Sequence, residues 1–425
     1  MARHRRPTYR PDRVIMNWRA TSWLIGAVVV AATGLALAVL LRRPDLLILS
    51  FAPAGIALWS LAARPSVTPE LDPAGVSPTT AAGQQSVWSL HGRQLEGAEQ
   101  WWAQCSPADG IRWEQDLLGG YLRASASRLD GRWTAERIGG ASVGAALTEL
   151  ISPWAAYRVG PLRIPATEVR VRPQPSPVAG QLQLPHPVGL VGANRSSARG
   201  SGSEFADVRA YRPGDRLRAI HWPRTARTGE LHVRDNYAEQ DAAVLVVVDG
   251  SGGGPSWQRG LQGAATVAEF FIRHGDRVAL VVLGAGRPAY LPYGAGLRNY
   301  HRIADVLSAA REPAPSEPPR RVRLPVGPGC TVLMLSSILT DVAPTITLAL
   351  AQRGVPMIVL DTVPDAPDIE DPLSQLALRL RLLERRTVIE RLTQAGAQVT
   401  PWVGAGSLEL PMRRLARRPP VRVRS

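Results

Sequence analysis

The stretch that most constrains this chain runs from Ala243 to Gly254. It reads Ala-Val-Leu-Val-Val-Val-Asp-Gly-Ser-Gly-Gly-Gly. An apolar, mostly β-branched run ends abruptly in a carboxylate, a hydroxyl and glycines. Such a run, bounded by glycine, predicts a strand buried on both faces. Asp249 then lies at the strand's carboxyl end, where open α/β sheets place their ligand crevice. Asp249 and Ser251, two apart on a glycine-permitted loop, can aim two oxygens at one point.

From Val244 onward the pattern alternates. Apolar runs at 244–249, 277–283, 331–336, 356–361 and 398–402 predict strands. Helix-length segments at 257–274, 297–310, 343–352 and 372–395 separate them. This alternation predicts a parallel sheet covered on both faces. The last helix is amphipathic, with Leu376, Leu380, Leu383, Val388 and Leu392 read as one continuous stripe.

The N-terminal part differs. Residues 1–19 form a basic tail, followed by an uncharged run from Ala20 to Leu41. That is long enough to cross a bilayer as a helix. Arg42-Arg43-Pro44-Asp45 interrupts it, and Leu46–Ala63 is apolar again. The expectation is a two-helix membrane hairpin over 20–63. The Arg-rich tail argues for a cytoplasmic N-terminus, and two crossings return the large C-terminal region to the cytoplasm. A re-entrant second segment would instead place that region outside.

Residues 64–85 read as a Pro- and Ser-containing linker. Residues 86–180 carry short aromatic runs separated by Gly and Asp-Gly, which predicts a small antiparallel, sandwich-like β domain. Trp101 and Trp102 are read there as core or rim packing. Within it, 157–172 reads as a hairpin turning at Gly160-Pro161. Residues 413–425 form a second basic tail.

Composition limits the functions. The net charge is +15, and the 50 basic residues are all Arg. They are dispersed, which fits codon bias and attraction to anionic lipid better than a dedicated phosphate site. The charge and the scarcity of aromatics do not make a nucleic-acid binder. With no Lys there is no Walker-type Gly-x-x-x-x-Gly-Lys loop, so the chain is not itself a P-loop ATPase. Cys105 and Cys330 have no metal-type spacing and are read as unpaired thiols.

The densest polar stretch is Glu204 to Glu230. It holds Glu204-Phe205, Arg209, Tyr211, Gly214-Asp215, Arg218, Ile220, Trp222, Ala226-Arg227, Gly229 and Leu231. These positions resemble the signature of the bacterial family known as domain of unknown function 58 (DUF58). The resemblance covers most of the chain past the basic tail. It implies two N-terminal transmembrane helices, a small antiparallel β domain, the signature over 181–240 and a von Willebrand factor A-like, Rossmann-like α/β domain over 241–412. It also implies a MoxR-type AAA+ ATPase partner, in systems that support assembly or maturation of envelope or metal-containing complexes. The signature is read as an ion-pair network fixing the domain junction or as a docking surface.

A von Willebrand factor A-like domain holds a divalent cation with Asp-x-Ser-x-Ser and residues from later loops. Asp249, Ser251 and Asp341 are the candidate metal ligands. Gly253 replaces the second serine, Ser337 is the alternative to Asp341, and no Thr stands before Tyr300. The expectation is a degenerate site without a cofactor, with Mg²⁺ or another divalent cation as the candidate ion. A carboxylate capping the following helix is the bland reading of Asp249.

The function expected is a membrane-anchored, non-catalytic interaction or assembly protein. One alternative is a metal-dependent adhesion protein with an exported domain. The other is a hydrolase using Ser251 with His274 or His301, which lacks the Gly-x-Ser-x-Gly elbow.

Overall fold

The computed structural model describes residues 17–74, 76–122, 127–176, 199–213, 215, 219–237, 243–313, 322–327, 330–364 and 371–416. The chain divides into two compact units, Met1–Arg172 and Pro173–Ser425. The basic tails at 1–16 and 417–425 lie outside the described residues.

In the first unit, Thr21 starts a helix over Ser22–Leu40 by accepting a hydrogen bond from Leu24 N at 3.3 Å. Its 19 uncharged residues span roughly 28 Å at 1.5 Å per residue. A second helix, Leu46–Ala62, has 17 residues and contains Pro53. Among the described residues one helix, not two, is long and apolar enough to cross a membrane. The expected layout of two spans followed by a von Willebrand factor A-like domain is therefore overturned. The second helix, with 17 residues and Pro53 inside it, falls short of the about 20 residues of a typical crossing helix. The placement of the C-terminal region in the cytoplasm rested on counting two.

The rest of this unit is mainly strands in several sheets. Strands Glu70–Ala74 and Thr79–Ala81 fall where a linker was expected. The first pairs antiparallel with Gln85–Arg93, and the second pairs parallel with Thr167–Arg172. A tryptophan core explains the aromatic runs. Trp88, Trp101 and Trp133 are fully buried, and Trp88 meets Trp113 edge-on at 6.0 Å. The buried Trp101 indole donates to Thr148 Oγ1 at 2.9 Å. Gly160-Pro161 does not turn a hairpin; it lies inside the strand Tyr157–Ile164, opposite a register shift between Thr148 and Leu150. A bulged stretch tolerates the missing proline N–H.

The second unit holds a six-stranded sheet. Its strands are β1 (Ala243–Asp249), β2 (Arg277–Leu283), β3 (Ala289–Gly294), β4 (Cys330–Ser336), β5 (Met357–Asp361) and β6 (Gln398–Pro401). The order is β3-β2-β1-β4-β5-β6, with only β3 antiparallel to its neighbour. The chain leaves β1 toward β2 and later crosses back to β4, so β1 is the topological switch point. Helices α1 (Gly254–Arg273), α2 (Gly296–Ala309), α3 (Val342–Gln352), α4 (Pro372–Gln394) and α5 (Glu409–Ala416) accompany the strands. One face of the sheet, with Leu245, Val247, Val332 and Met334, packs on Ala343, Leu350 and Leu392.

The stripe expected along α4 divides. Leu392 is buried and Val388 half-buried, but Leu376, Leu380 and Leu383 are each more than half exposed. The helix carries apolar residues on two sides, and only one side has the sheet to bury against.

On the sheet's other face α1 approaches closely at Gly263. A Cβ there would lie 2.4 Å from Leu335 Cδ2 and 2.9 Å from the Trp402 indole nitrogen. In an exposed helix Gly→Ala stabilises by about 1 kcal/mol. Here Gly263→Ala is expected to reverse that sign and destabilise by roughly 1–3 kcal/mol through overpacking. Thermal unfolding of the variant checks this; a raised midpoint contradicts the close packing.

Candidate functional site

Asp249 ends β1 with its carboxylate almost fully buried. An isolated buried carboxylate is costly, so its oxygens must find donors. Both do. Oδ1 accepts from Ser251 N at 3.0 Å and from Ser251 Oγ at 2.6 Å. Oδ2 accepts from Ser336 Oγ, at the end of β4, at 2.7 Å. Ser251 spends its one hydroxyl proton on Asp249, so Thr340 Oγ1 donates to Ser251 Oγ across 2.5 Å. Ser336, Asp249, Ser251 and Thr340 thus form one connected hydrogen-bond network around the Asp249 carboxylate, across the switch point.

The glycines let the two loops meet. A Cβ on Gly252 would sit 2.0 Å from Ser337 Oγ. Gly253 and Gly254 both take left-handed φ, +58° and +54°. Opposite them Ile338 adopts φ +54°, a strained conformation for a β-branched residue. Its amide donates to Ser336 Oγ at 2.9 Å, so the serine that serves Asp249 also holds the strained residue.

Asp249 does not cap α1. The α1 cap residue, Gly253, supplies no side-chain bond, and Gly254 N donates instead to Glu312 Oε1 at 2.5 Å. A carboxylate at a helix N-terminus is favourable to the dipole. A second tie lies beside the network. Asp361, ending β5, pairs with Arg385 of α4, and both side chains are largely buried. Arg385 Nε also donates to Ser337 O at 2.7 Å.

Of the candidate metal ligands, the structure brings Asp249 and Ser251 together. Asp341 is exposed and precedes α3, where it lines a cavity with Val322, Arg323 and Ile346. Thr340, its neighbour, reaches the network in its place. Among the described residues no group of three His, Cys, Asp or Glu side chains gathers to hold a metal. His274 follows α1 with Nδ1 at 2.7 Å from Phe270 O, and the His301 ring lies tilted beside Tyr300 at 5.9 Å. Neither is a partner of Ser251. Sequence reasoning missed Ser336, Thr340 and Glu312. The Ser-Ser at the end of β4 was the available signal for the first. Glu312 sits beyond α2 with no local pattern to mark it.

The signature forms its own antiparallel pair, Arg199–Ala210 with His232–Tyr237. Glu204 and Phe205 lie on the first of these strands, and their side chains are outside the described residues, as are Gly214 and Arg218. Arg209 forks onto Asp215, Nη1 to Oδ2 at 2.7 Å and Nη2 to Oδ1 at 2.8 Å. Arg212 N adds a third bond to the same carboxylate at 2.8 Å. Tyr211 N donates to Leu231 O, and Ile220 bridges to Val233. Between them a short helix, Trp222–Thr228, begins with His221 Nδ1 accepting from Arg224 N and ends at Gly229, φ +74°. Trp222 is 66% exposed and Leu231 44%; Ala226 and Arg227 are also exposed. The ion pair therefore closes the base of the loop, and an aromatic and basic surface is left at its tip.

Residues 207–383 match the family model described as protein of unknown function DUF58. That segment belongs to the DUF58 family. It contains the Asp249 network and the signature positions from Arg209 onward. The chain is also 32% identical over 116 residues to uncharacterized proteins of Mycobacterium bovis and Mycobacterium tuberculosis. That alignment covers 26% of this chain and 37% of the length of each relative.

Arg209's hydrogen bonds, followed by the Arg212 amide, hold the Asp215 carboxyl down at about 2, below its ordinary 3.8. Because the folded value is the lower one, this contribution to stability is complete above roughly pH 4 and is lost as pH falls toward 2. Titration of the Asp215 carboxyl by NMR is expected to give a midpoint near 2, and Arg209→Gln is expected to raise it toward 3.8. A midpoint unmoved by that variant contradicts the assigned cause.

Proposed function

We propose that this chain is a membrane-associated, non-catalytic interaction protein that works with a MoxR-type AAA+ ATPase. The exposed tip of the DUF58 signature, centred on Trp222 and Arg227, docks the partner, and the loops that Asp249 ties together at the carboxyl ends of the central strands form a second recognition surface. One observation carries the reading. Asp249 spends both carboxylate oxygens on hydroxyl donors, the Ser251 hydroxyl is engaged by Asp249 and Thr340, and among the described residues no histidine partners it, so the arrangement reads as a structural tie between loops and not as the serine–histidine pair of a hydrolase. The apolar helix Ser22–Leu40 supports membrane association.

The network is proposed to act without a resident metal. Hard cations are held chiefly by the number of charged oxygens around them. Here one carboxylate stands among neutral hydroxyls, and Asp341 is not brought to it. The donor set does not fit tight binding of Mg²⁺.

Exposed Trp and Arg are the residue types that dominate binding energy at protein interfaces. Trp222→Ala combined with Arg227→Glu is expected to lower co-purification of the ATPase at least tenfold while leaving the fold intact. The same full-length preparation, titrated with Mg²⁺ in a calorimeter, is expected to give no binding heat below millimolar ion. Unchanged co-purification, or a periplasmic signal from a reporter fused after Ser425, removes the ATPase from the account. A micromolar Mg²⁺ isotherm replaces the metal-free network with a metal-dependent one.

A further inference from the structure

Helix α4 carries four exposed leucines: Leu373 (76% exposed), Leu376 (55%), Leu380 (56%) and Leu383 (59%). Their spacing is three, four, three. At about 100° per residue they fall within roughly 80° of one another around the axis. The residues tied to the protein body, Arg385, Val388, Ile389 and Leu392, lie on the roughly opposite side. The exposed stripe is therefore not a frayed part of the core. It is a second apolar face with nothing over it among the described residues.

Three-four spacing is the a/d seam of a two-helix coiled coil, with Leu373 and Leu380 at a and Leu376 and Leu383 at d. The same register puts Arg385 and Leu392 at f, Val388 at b and Ile389 at c, the positions that point away from a partner helix. Those are the residues the domain uses to hold α4. The register also fixes the flanks: Arg379 falls at g and Glu384 at e. In a parallel pair, a g residue meets the partner's e residue five positions later, so Arg379 of each helix meets Glu384 of the other. Glu384 already has Arg381 of its own helix at 3.6 Å, an exposed pair with little cost to rearrange.

We propose that α4 pairs in parallel with α4 of a second copy of this chain, through the seam Leu373–Leu376–Leu380–Leu383 with Arg379–Glu384 pairs on both flanks. The stripe is the narrow a/d kind, whereas a helix lying on a lipid surface presents a broader apolar face. The charge complementarity is specific to the parallel register; an antiparallel pairing sets Arg379 and Arg386 of the g positions against each other. The seam is only about 15 Å long at 1.5 Å per residue. It suffices because α4 is already held helical by Arg385 and Leu392, so association does not bear the cost of forming the helix.

Single cysteines in the full chain, oxidised in intact cells, test this. Leu380→Cys and Leu376→Cys are expected to give covalent dimers in at least tenfold higher yield than Gln375→Cys, which lies on the c side. Both native thiols, Cys105 and Cys330, are buried and leave a low background. Arg379→Glu in the Leu380→Cys chain is expected to cut the dimer, and adding Glu384→Arg to restore it. Equal yields at 375 and 380, or a dimer indifferent to Arg379→Glu, overturn the proposal. So does a chain that stays monomeric in detergent and nanodiscs while its leucines govern binding to anionic vesicles, which would assign the stripe to lipid.

Discussion

The second unit depends on one buried carboxylate. Asp249 sits at the switch point of the sheet, where the order of strands reverses and two loops must meet over the strand ends. Its two oxygens face different loops: Oδ1 takes the β1 loop through Ser251, and Oδ2 takes the β4 loop through Ser336. A hydrogen bond to an ionised acceptor is roughly twice as strong as a neutral one. A buried acceptor left unpaired costs the full desolvation of the group. The site is thus held from both sides, by what the bonds contribute and by what their loss would expose.

The neighbouring features take their sense from that tie. Ile338 is held at a positive φ because Ser336 bridges its amide to Asp249. Gly252 lacks a side chain because Ser337 occupies the space a Cβ would need. Arg385 and Asp361 repeat the device one strand further along, joining α4 to the β4 loop. Anchored this way, α4 has one face committed to the domain, and its leucine seam stands on a fixed support. In the signature, Arg209 and Asp215 do a similar job by closing a loop whose tip then presents Trp222.

Much of the second unit was legible because its elements are locally coded. Five of the six strands fell on predicted runs, four of them apolar and largely buried, and α1, α2 and α3 lay within a few residues of their predicted bounds. Strand β3 escaped because Ala289–Gly294 is a half-exposed edge with Pro292 within it, and its pattern resembles a loop. The site was half legible. Asp249 and Ser251 are neighbours in sequence, but Ser336, Thr340 and Glu312 join them only after the sheet brings distant loops together. From the β4 loop the sequence offered Asp341 or Ser337, and the residue that reaches Ser251 is Thr340. The N-terminal layout failed for a different reason: hydropathy marks an apolar run but does not register that the second helix is short and interrupted by Pro53. The leucines of α4 misled in the opposite way, since periodicity finds a stripe without saying which of two faces the protein covers.

The central claim is that Asp249 couples the β1 and β4 loops as one unit. Native-state hydrogen exchange at the Ser251 and Ile338 amides, compared between the wild type and Asp249→Asn, tests it directly. Both amides are expected to lose protection together in the variant, while those of Val246 and Leu333 within the sheet keep theirs. Loss at Ser251 alone, with Ile338 still protected, would show that the two loops are held independently and would contradict the account.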